Sequence, residues 1–468
     1  MFERFLLARR HERDRSELGL LLKDCRQLLT EHGESNSLAI AARALSRYQS
    51  LSNRSRQQFF EVLASDFDPD AAEVLALAQE YAADQAPDKL IRLAHAAEPP
   101  RQELMRRLNR APGGTQSIIL MREYVLARMR LDRKLSAVDA DLSHLLSSWF
   151  NPGFLTLVRV DWNSPAALLE RLIQHEAVHE IDGWDDLRRR LQPDRRCFAF
   201  MHPVLAGEPL IFVEVALLKE VPSAIAPLLD RTVPDATALP KVKVAAFYSI
   251  SNCQPGLRGI NLGNFLIKRV AEQLQSEFAT LKVFCTLSPV PGFAAWLART
   301  QEITLPSLSA EKRRRINETL SALRKRHQPD LSGLSSALAA AATAATAATA
   351  ATTSTAAGSA TLPSTPSGAG TGVLKAIDEE ALRSLCACYL LHSSHLGAGE
   401  GDPVARFHLN NGARLERISA HADLSRKGLR QAHGMMVNYL YDLDEIEENH
   451  EAFVNGTVSA SRAVTSLI

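Results

Sequence analysis

Apolar residues recur three and four positions apart through almost all of residues 1–150. This spacing predicts a series of amphipathic helices, because an α-helix brings such positions onto one face. Ser52, Asp66 and Asp68 stand where helix N-caps are expected, and Gly113-Gly114 separates two helices. We therefore predict an N-terminal all-α helical bundle domain, for which we expect a role in packing and oligomerisation.

Near residue 151 the pattern changes to short apolar runs that are rich in β-branched and aromatic residues. Such runs predict strands. They cover residues 154–160, 197–201, 209–217, 242–249 and 282–287, and helical spacing separates them over residues 164–175 and 264–278. We therefore predict a mixed α/β catalytic domain over residues 151–468, which makes the whole chain an α+β protein.

A low-complexity segment interrupts this second domain. Residues 333–372 contain no charged residue and almost no large apolar one, and they consist mainly of Ala, Thr, Ser, Gly and Pro. Such a composition covers little core and predicts a disordered insertion. Helical spacing resumes at Ile377, and a further strand is predicted at 406–418.

Charge and cysteine content narrow the function classes. Lys plus Arg number 54 against 53 Asp plus Glu, which argues against a protein that coats nucleic acid or an anionic membrane. The six cysteines show no C-x-x-C spacing, so we expect reduced, buried thiols rather than a zinc ribbon or a disulfide framework.

The targeting signals in the sequence are weak. No apolar run approaches the roughly 20 residues that a membrane span needs. The N-terminus is rich in Arg, but acidic residues at positions 3, 12, 14 and 17 argue against a signal or transit peptide. We therefore expect a cytoplasmic protein.

Residues 175–179 read His-Glu-Ala-Val-His and match the H-E-x-x-H pattern of zinc peptidases. In those enzymes the two imidazoles lie one helical turn apart and bind zinc, while the Glu activates water. Gly183 interrupts the helix soon afterwards, and no third-ligand motif follows. A surface helix with a His/Glu face is the alternative, and we expect no metal site.

A Gly-rich loop over residues 254–264 lies between a predicted strand and a predicted helix. Unpaired N–H groups at such a helix N-terminus suit a pyrophosphate. The layout Arg258-x-x-Asn261-x-Gly263 is similar to the R/Q-x-x-G-x-G/A loop of the GNAT acyltransferases, with Asn where Gly is usual. An ordinary strand-to-helix turn is the alternative.

Ser288 follows a predicted strand and begins a turn framed by Pro289 and Pro291. Pro289 favours an extended backbone at Ser288, so the hydroxyl can face a cleft. Capping of the next helix is the alternative. His408 is expected in mid-strand, facing the opposite way from Phe407, and only a contact with another site residue would give it a catalytic role.

Taken together, these segments resemble the malonyl-CoA decarboxylase family over most of residues 150–441. The helical first domain also fits the N-terminal domain of that family. The resemblance is carried by EAVH at 176–179, RRCFAF at 195–200, GEPLIFVEVAL at 207–217, LGNFLIKR at 262–269, LSPVPGF at 287–293 and FHLNNGA at 407–413. It departs at the insertion and at Asn261.

The resemblance implies a GNAT-like catalytic domain, malonyl-CoA as substrate, and no cofactor or metal. It places the catalytic serine at Ser288, the catalytic histidine at His408, and a tyrosine close to substrate at Tyr441. The coenzyme A loop falls on Arg258, Gly259, Ile260, Asn261, Leu262, Gly263 and Asn264. We further expect a homo-oligomer, with a tetramer through the helical domain as the candidate assembly.

The expected chemistry is loss of carbon dioxide from a malonyl thioester, which leaves an enolate that needs a proton. His408 is the expected proton donor at neutral pH, and Ser288 is expected to contact the malonyl group and to accept a proton. A GNAT-type acyltransferase, which needs an acceptor substrate, and an acyl-CoA sensor without turnover are the two alternatives.

Overall fold

A computed structural model describes residues 2–230, 241–260, 262, 266–327, 331, 334, 338, 369–392 and 401–468. The chain divides into two compact units. The first comprises residues 1–156, 200–211 and 252–263, and the second comprises residues 157–199, 212–251 and 264–468. No described helix combines the length and apolar character that a membrane span requires.

Helices make up most of the first unit. They are α1 (Phe2–Thr30), α2 (Glu34–Ser50), α3 (Asn53–Ser65), α4 (Ala71–Ala83), α5 (Pro87–Ala97), α6 (Pro100–Asn109), α7 (Gly114–Arg128) and α8 (Leu135–Trp149). Their buried faces repeat the spacing of the sequence, as with Phe59, Phe60 and Leu63 of α3. The predicted helical N-terminal region is therefore confirmed.

Of the three helix N-caps predicted in this unit, the one at Ser52 is confirmed. Ser52 is the N-cap of α3, and its hydroxyl accepts the N–H of Ser55. Asp66 instead ends α3 with a helical backbone, and Asp70 rather than Asp68 caps α4. The predictions for Asp66 and Asp68 are wrong, because an N-cap must directly precede the first helical turn.

Most residues of a mixed sheet with helices belong to the second unit. Its strands are β1 (Thr156–Val160), β2 (Arg195–Met201), β3 (Pro209–Leu218), β4 (Val244–Asn252), β5 (Val283–Thr286), β6 (Ser288–Pro289), β7 (Arg414–Ser419) and β8 (Met436–Tyr441). The sheet order is β1-β2-β3-β4-β5-β8-β6, and β7 pairs with β8. This arrangement confirms the α+β class.

Helices connect or follow these strands in the described part of the chain. They are α9 (Ala166–His175), α10 (Gly183–Arg190), α11 (Ala226–Leu229), α12 (Leu266–Glu277), α13 (Phe293–Arg299), α14 (Ala310–Arg326), α15 (Ala369–His392), α16 (Pro403–Asn410), α17 (Arg426–Ala432), α18 (Ile446–Val454) and α19 (Arg462–Thr465).

The centre of the sheet positions the segment that contains Ser288. Strand β4 runs parallel to β5, with Phe247 opposite Thr286, and β5 and β6 both pair antiparallel with β8. Most residues of β3 and β4 are buried. Burial on both faces explains why these strands read as continuous apolar runs rather than as alternating patterns.

Two sequence predictions need correction around the insertion. The strand predicted at 406–418 is the helix α16 followed by β7, which begins only at Arg414. Helix α15 begins at Ala369, inside the predicted insertion, and Leu334 and Leu338 are buried. Most of the remaining insertion lies outside the described residues, so its predicted disorder stays a prediction.

Candidate active site

Ser288 and His408 are in hydrogen-bond contact inside the second unit. The Oγ of Ser288 lies 2.9 Å from the Nε2 of His408, although 120 positions separate the two residues in sequence. Both side chains are buried. Ser288 is the first residue of β6, and His408 lies in the last turn of α16. The helix therefore brings the imidazole to the start of β6.

The strand break next to Ser288 is stabilised by Thr286. Between β5 and β6, Leu287 donates its N–H to the carbonyl of Phe247 at 3.0 Å. The hydroxyl of Thr286 accepts the N–H of Tyr439 at 3.2 Å and the hydroxyl of Ser288 at 2.9 Å. Thr286 and Ser288 share a face because they are two residues apart in an extended segment.

Two tyrosines of β8 surround the imidazole of His408. The hydroxyl of Tyr441 lies 2.8 Å from Nδ1, and the ring of Tyr439 stacks on the imidazole with centroids 4.7 Å apart. Tyr441 was predicted to lie close to substrate. Its hydroxyl contacts Nδ1 of His408, on the side of the ring that faces away from Ser288.

Burial sets the protonation states of these groups. It lowers the pKa of His408 to about 3, so the imidazole is neutral at neutral pH. Burial also raises the pKa values of Tyr439 and Tyr441, which keep their phenolic protons. From the sequence, His408 is expected to be a proton donor at neutral pH. In the structure its free imidazole is neutral at that pH, because desolvation disfavours the imidazolium form.

The hydrogen bonds have a consistent direction. The Ser288 hydroxyl donates to Thr286, so the Ser288 oxygen can accept a hydrogen bond from an Nε2–H of His408. Nδ1 then accepts from the hydroxyl of Tyr441. The resting site thus holds an Nε2–H that points at Ser288.

The predicted coenzyme A loop is anchored within the first unit by Arg122. This buried guanidinium donates to the carbonyls of Gly256 at 2.8 Å and Arg258 at 3.0 Å, and it pairs with Asp139 at 2.8 Å. A Cβ on Gly256 would approach the carbonyl oxygen of Ile119 to 2.0 Å, so only glycine fits there. Sequence reasoning missed Arg122, since nothing local links it to the loop.

The residues of this loop differ in exposure. Arg258 is exposed, and Gly259 has a φ of 82°, a conformation that favours glycine. Ile260 and Leu262 are buried, so their side chains pack inside the protein. The predicted loop residues Asn261, Gly263 and Asn264 lie outside the described residues.

The H-E-x-x-H match does not have zinc-peptidase geometry. Helix α9 ends at His175, so its imidazole and that of His179 are not one helical turn apart. The carboxylate of Glu176 accepts the N–H groups of Val178 and His179, each at 2.8 Å, and the hydroxyl of Ser249 at 2.7 Å. Glu176 therefore stabilises a loop against β4.

The chain is similar to known proteins over most of its length. Residues 67–150 match the family model described as malonyl-CoA decarboxylase N-terminal domain, and residues 153–468 match that of the malonyl-CoA decarboxylase C-terminal domain. The mitochondrial malonyl-CoA decarboxylase of Anser anser anser is 34% identical over 395 residues, which cover 81% of this chain and 71% of the relative. The Rattus norvegicus protein of the same name is 33% identical over 386 residues, which cover 81% of this chain and 73% of the relative.

Solved structures extend the similarity to almost the whole chain. A crystal structure of malonyl-CoA decarboxylase from Rhodopseudomonas palustris matches with a TM-score of 0.78 and 44% identity, covering 96% of this chain and 99% of that chain. The corresponding structure from Agrobacterium vitis matches with a TM-score of 0.77, also at 44% identity and with the same coverage.

Proposed function

Because this chain belongs to the malonyl-CoA decarboxylase family, its reaction is the conversion of malonyl-CoA to acetyl-CoA and carbon dioxide, and we propose that Ser288 and His408 perform it. The observation that carries this proposal is the buried 2.9 Å contact between the Ser288 hydroxyl and the His408 imidazole. The chemistry must break one carbon–carbon bond and deliver one proton to carbon.

The electron pair of the breaking bond passes into the thioester carbonyl and gives an enolate. Carbon dioxide leaves without charge. A buried site of neutral side chains favours this step, because it stabilises a localised carboxylate less well than water does. The enolate carbon then takes a proton, so the reaction consumes one proton for each molecule of carbon dioxide.

His408 supplies that proton after substrate binding. In the free protein its pKa is about 3. A malonyl carboxylate bound against Ser288 favours the imidazolium, because an opposite charge within a few ångströms raises a histidine pKa. The imidazole takes a proton from solvent on binding and gives it to the enolate carbon, directly or through the Ser288 hydroxyl, and returns to its neutral resting form.

The loop from Arg258 to Asn264 is proposed to hold the pyrophosphate of coenzyme A. The exposed guanidinium of Arg258 and the glycine conformation of Gly259 support this role. Arg258→Ala should raise KM for malonyl-CoA more than it lowers kcat, since the non-reacting end of a substrate contributes mainly uniform binding. An unchanged KM would remove the loop from the site.

The decisive assay uses purified protein and malonyl-CoA without an acceptor. Equal release of carbon dioxide and acetyl-CoA is expected, and His408→Asn should lower kcat about 10²–10⁴-fold, as loss of a general acid does. A requirement for an acceptor would indicate an acyltransferase instead. Binding of malonyl-CoA without turnover would indicate a sensor, and normal turnover in a folded His408→Asn protein would contradict the assignment.

We also propose a domain division between residues 150 and 151, a GNAT-like catalytic domain and a cytoplasmic location.

We further propose a homo-oligomer built through the helical domain. Exposed apolar side chains on α4 and α5, among them Leu75, Leu90 and Ile91, support an interface there. Sedimentation of the protein and of Ile91→Glu should differ in mass if this face joins copies. Equal masses would reject it.

A further inference from the structure

We propose that Asp402 is a positioning residue that fixes the imidazole of His408 against the Ser288 hydroxyl. The proposal rests on the catalytic roles assigned above to those two residues. It identifies a group outside the reacting pair that connects the segment after Ser288 with the helix that contains His408.

The carboxylate of Asp402 binds both segments. One oxygen accepts the N–H groups of Val404 and Ala405, each at 3.0 Å, and so caps the N-terminus of α16. The other oxygen accepts the N–H of Gly292 at 2.9 Å. Gly292 follows Ser288 by four residues and precedes α13, so one side chain joins the two parts of the site.

The carboxylate end of the connection is buried. Asp402 is 0% exposed, so bulk solvent does not reach its oxygens. Gly292 leaves space for this contact, since a Cβ at this position would lie 2.3 Å from the hydroxyl oxygen of Tyr389 and 3.3 Å from the Asp402 carboxylate. The glycine is therefore part of the connection rather than a neutral turn residue.

Helix α16 needs such an anchor. It spans only the eight residues Pro403–Asn410, and helices of this length are not stable on their own hydrogen bonds. His408 lies near the C-terminal end of α16, so its position depends on how Asp402 holds the first turn of that helix. A displacement of about 1 Å in a catalytic group can cost about 100-fold in rate, so the anchor affects turnover.

The test is the Asp402→Asn variant. Its amide oxygen still caps α16, but its NH₂ group faces the N–H of Gly292, so the connection breaks while the helix cap remains. We expect kcat to fall about 10- to 100-fold with little change in KM for malonyl-CoA. Asp402→Ser also keeps a capping oxygen without reaching Gly292, and it carries the test if the Asn variant is recovered poorly.

Ser309→Ala is the matched control. The Ser309 hydroxyl caps α14 through the N–H of Lys312. Its loss should lower the melting temperature and leave kcat unchanged. If Asp402→Asn changes only the melting temperature, as this control does, the proposal is wrong.

A double variant separates positioning from general stability. In a His408→Asn background, Asp402→Asn should lower kcat no further, because there is no imidazole left to position. An additional fall of the full single-variant size would overturn the proposal. A normal kcat in His408→Asn alone would instead show that the assignment of His408 is wrong.

Discussion

The Nδ1 atom of His408 lies 2.8 Å from the hydroxyl of Tyr441, on the side of the ring opposite Ser288. Because the buried phenol keeps its proton, it donates to Nδ1 and leaves the ring proton on Nε2, where it faces Ser288. We therefore propose that Tyr441 selects the Nε2–H tautomer of His408.

Replacing Tyr441 by Phe removes the hydroxyl and keeps the ring. We expect kcat to fall about tenfold, since ~1.4 kcal/mol is typical of one buried hydrogen bond. Steady-state kinetics with malonyl-CoA measures this effect. KM should change little, and a kcat equal to that of the parent protein would show that Nδ1 does not need the phenol.

Binding of malonyl-CoA should take up a proton. The pKa of His408 is about 3 in the free protein. We expect it to rise when the substrate carboxylate is bound, because an opposite charge nearby favours the imidazolium. Above pH 3 the free imidazole is neutral, so the bound complex holds more protons and affinity falls as pH rises through the raised pKa. Calorimetry of the parent protein with a malonyl-CoA analogue that cannot lose carbon dioxide, in buffers of different ionisation enthalpy, measures the uptake.

Acetyl-CoA is the matched control for this titration, because it lacks the carboxylate. It should bind without proton uptake, and His408→Asn should abolish the uptake that malonyl-CoA causes. Equal proton uptake with both ligands would assign it to another group.

Thr286→Val keeps the shape of the side chain and removes the acceptor for Ser288 and for the N–H of Tyr439. We expect lower kcat and lower stability, because a buried N–H without a partner costs ~1–3 kcal/mol. Thr286→Ser should restore most of the activity. Failure of this rescue would indicate that the methyl group of Thr286, rather than its hydroxyl, matters.

Arg122→Lys should raise KM for malonyl-CoA more than it lowers kcat. Lys keeps the charge but cannot reproduce the fork that binds the carbonyls of Gly256 and Arg258. Arg101→Lys is a suitable control, since Arg101 is equally buried and forms ion pairs with Asp68 and Asp141 in the same unit. An equal rise of KM in both variants would indicate a general loss of stability.

Deletion of residues 339–368 with a short Gly/Ser linker should leave kcat and the melting temperature near those of the parent protein, because loop-closure entropy changes slowly with length. The deletion must spare Leu334 and Leu338, which are buried. Extending it to residue 333 should lower the melting temperature. A folded but inactive 339–368 deletion would give the segment a role in the site.

Local pattern determined much of the fold. The 3.6-residue period predicted the helices of the N-terminal region, and buried apolar runs predicted β2, β3, β4 and β5. These elements can be recognised from the sequence because the apolar pattern of each comes from neighbouring residues that face the same core. The resemblance, rather than periodicity, supplied Ser288, His408 and Tyr441 as site residues.

Tertiary structure decided what no local pattern encodes. The spacing around His408 suggested a strand, although Asp402 and Pro403 form a local helix-start signal that apolar spacing alone does not show. Only the folded chain brings the Asp402 carboxylate to the N–H of Gly292 as well. The pairing of His408 with Ser288 joins residues 120 positions apart, and the pKa of His408 follows from burial by the folded chain. Arg122 likewise meets its loop only after folding, because contacts between distant segments depend on topology rather than on neighbouring sequence.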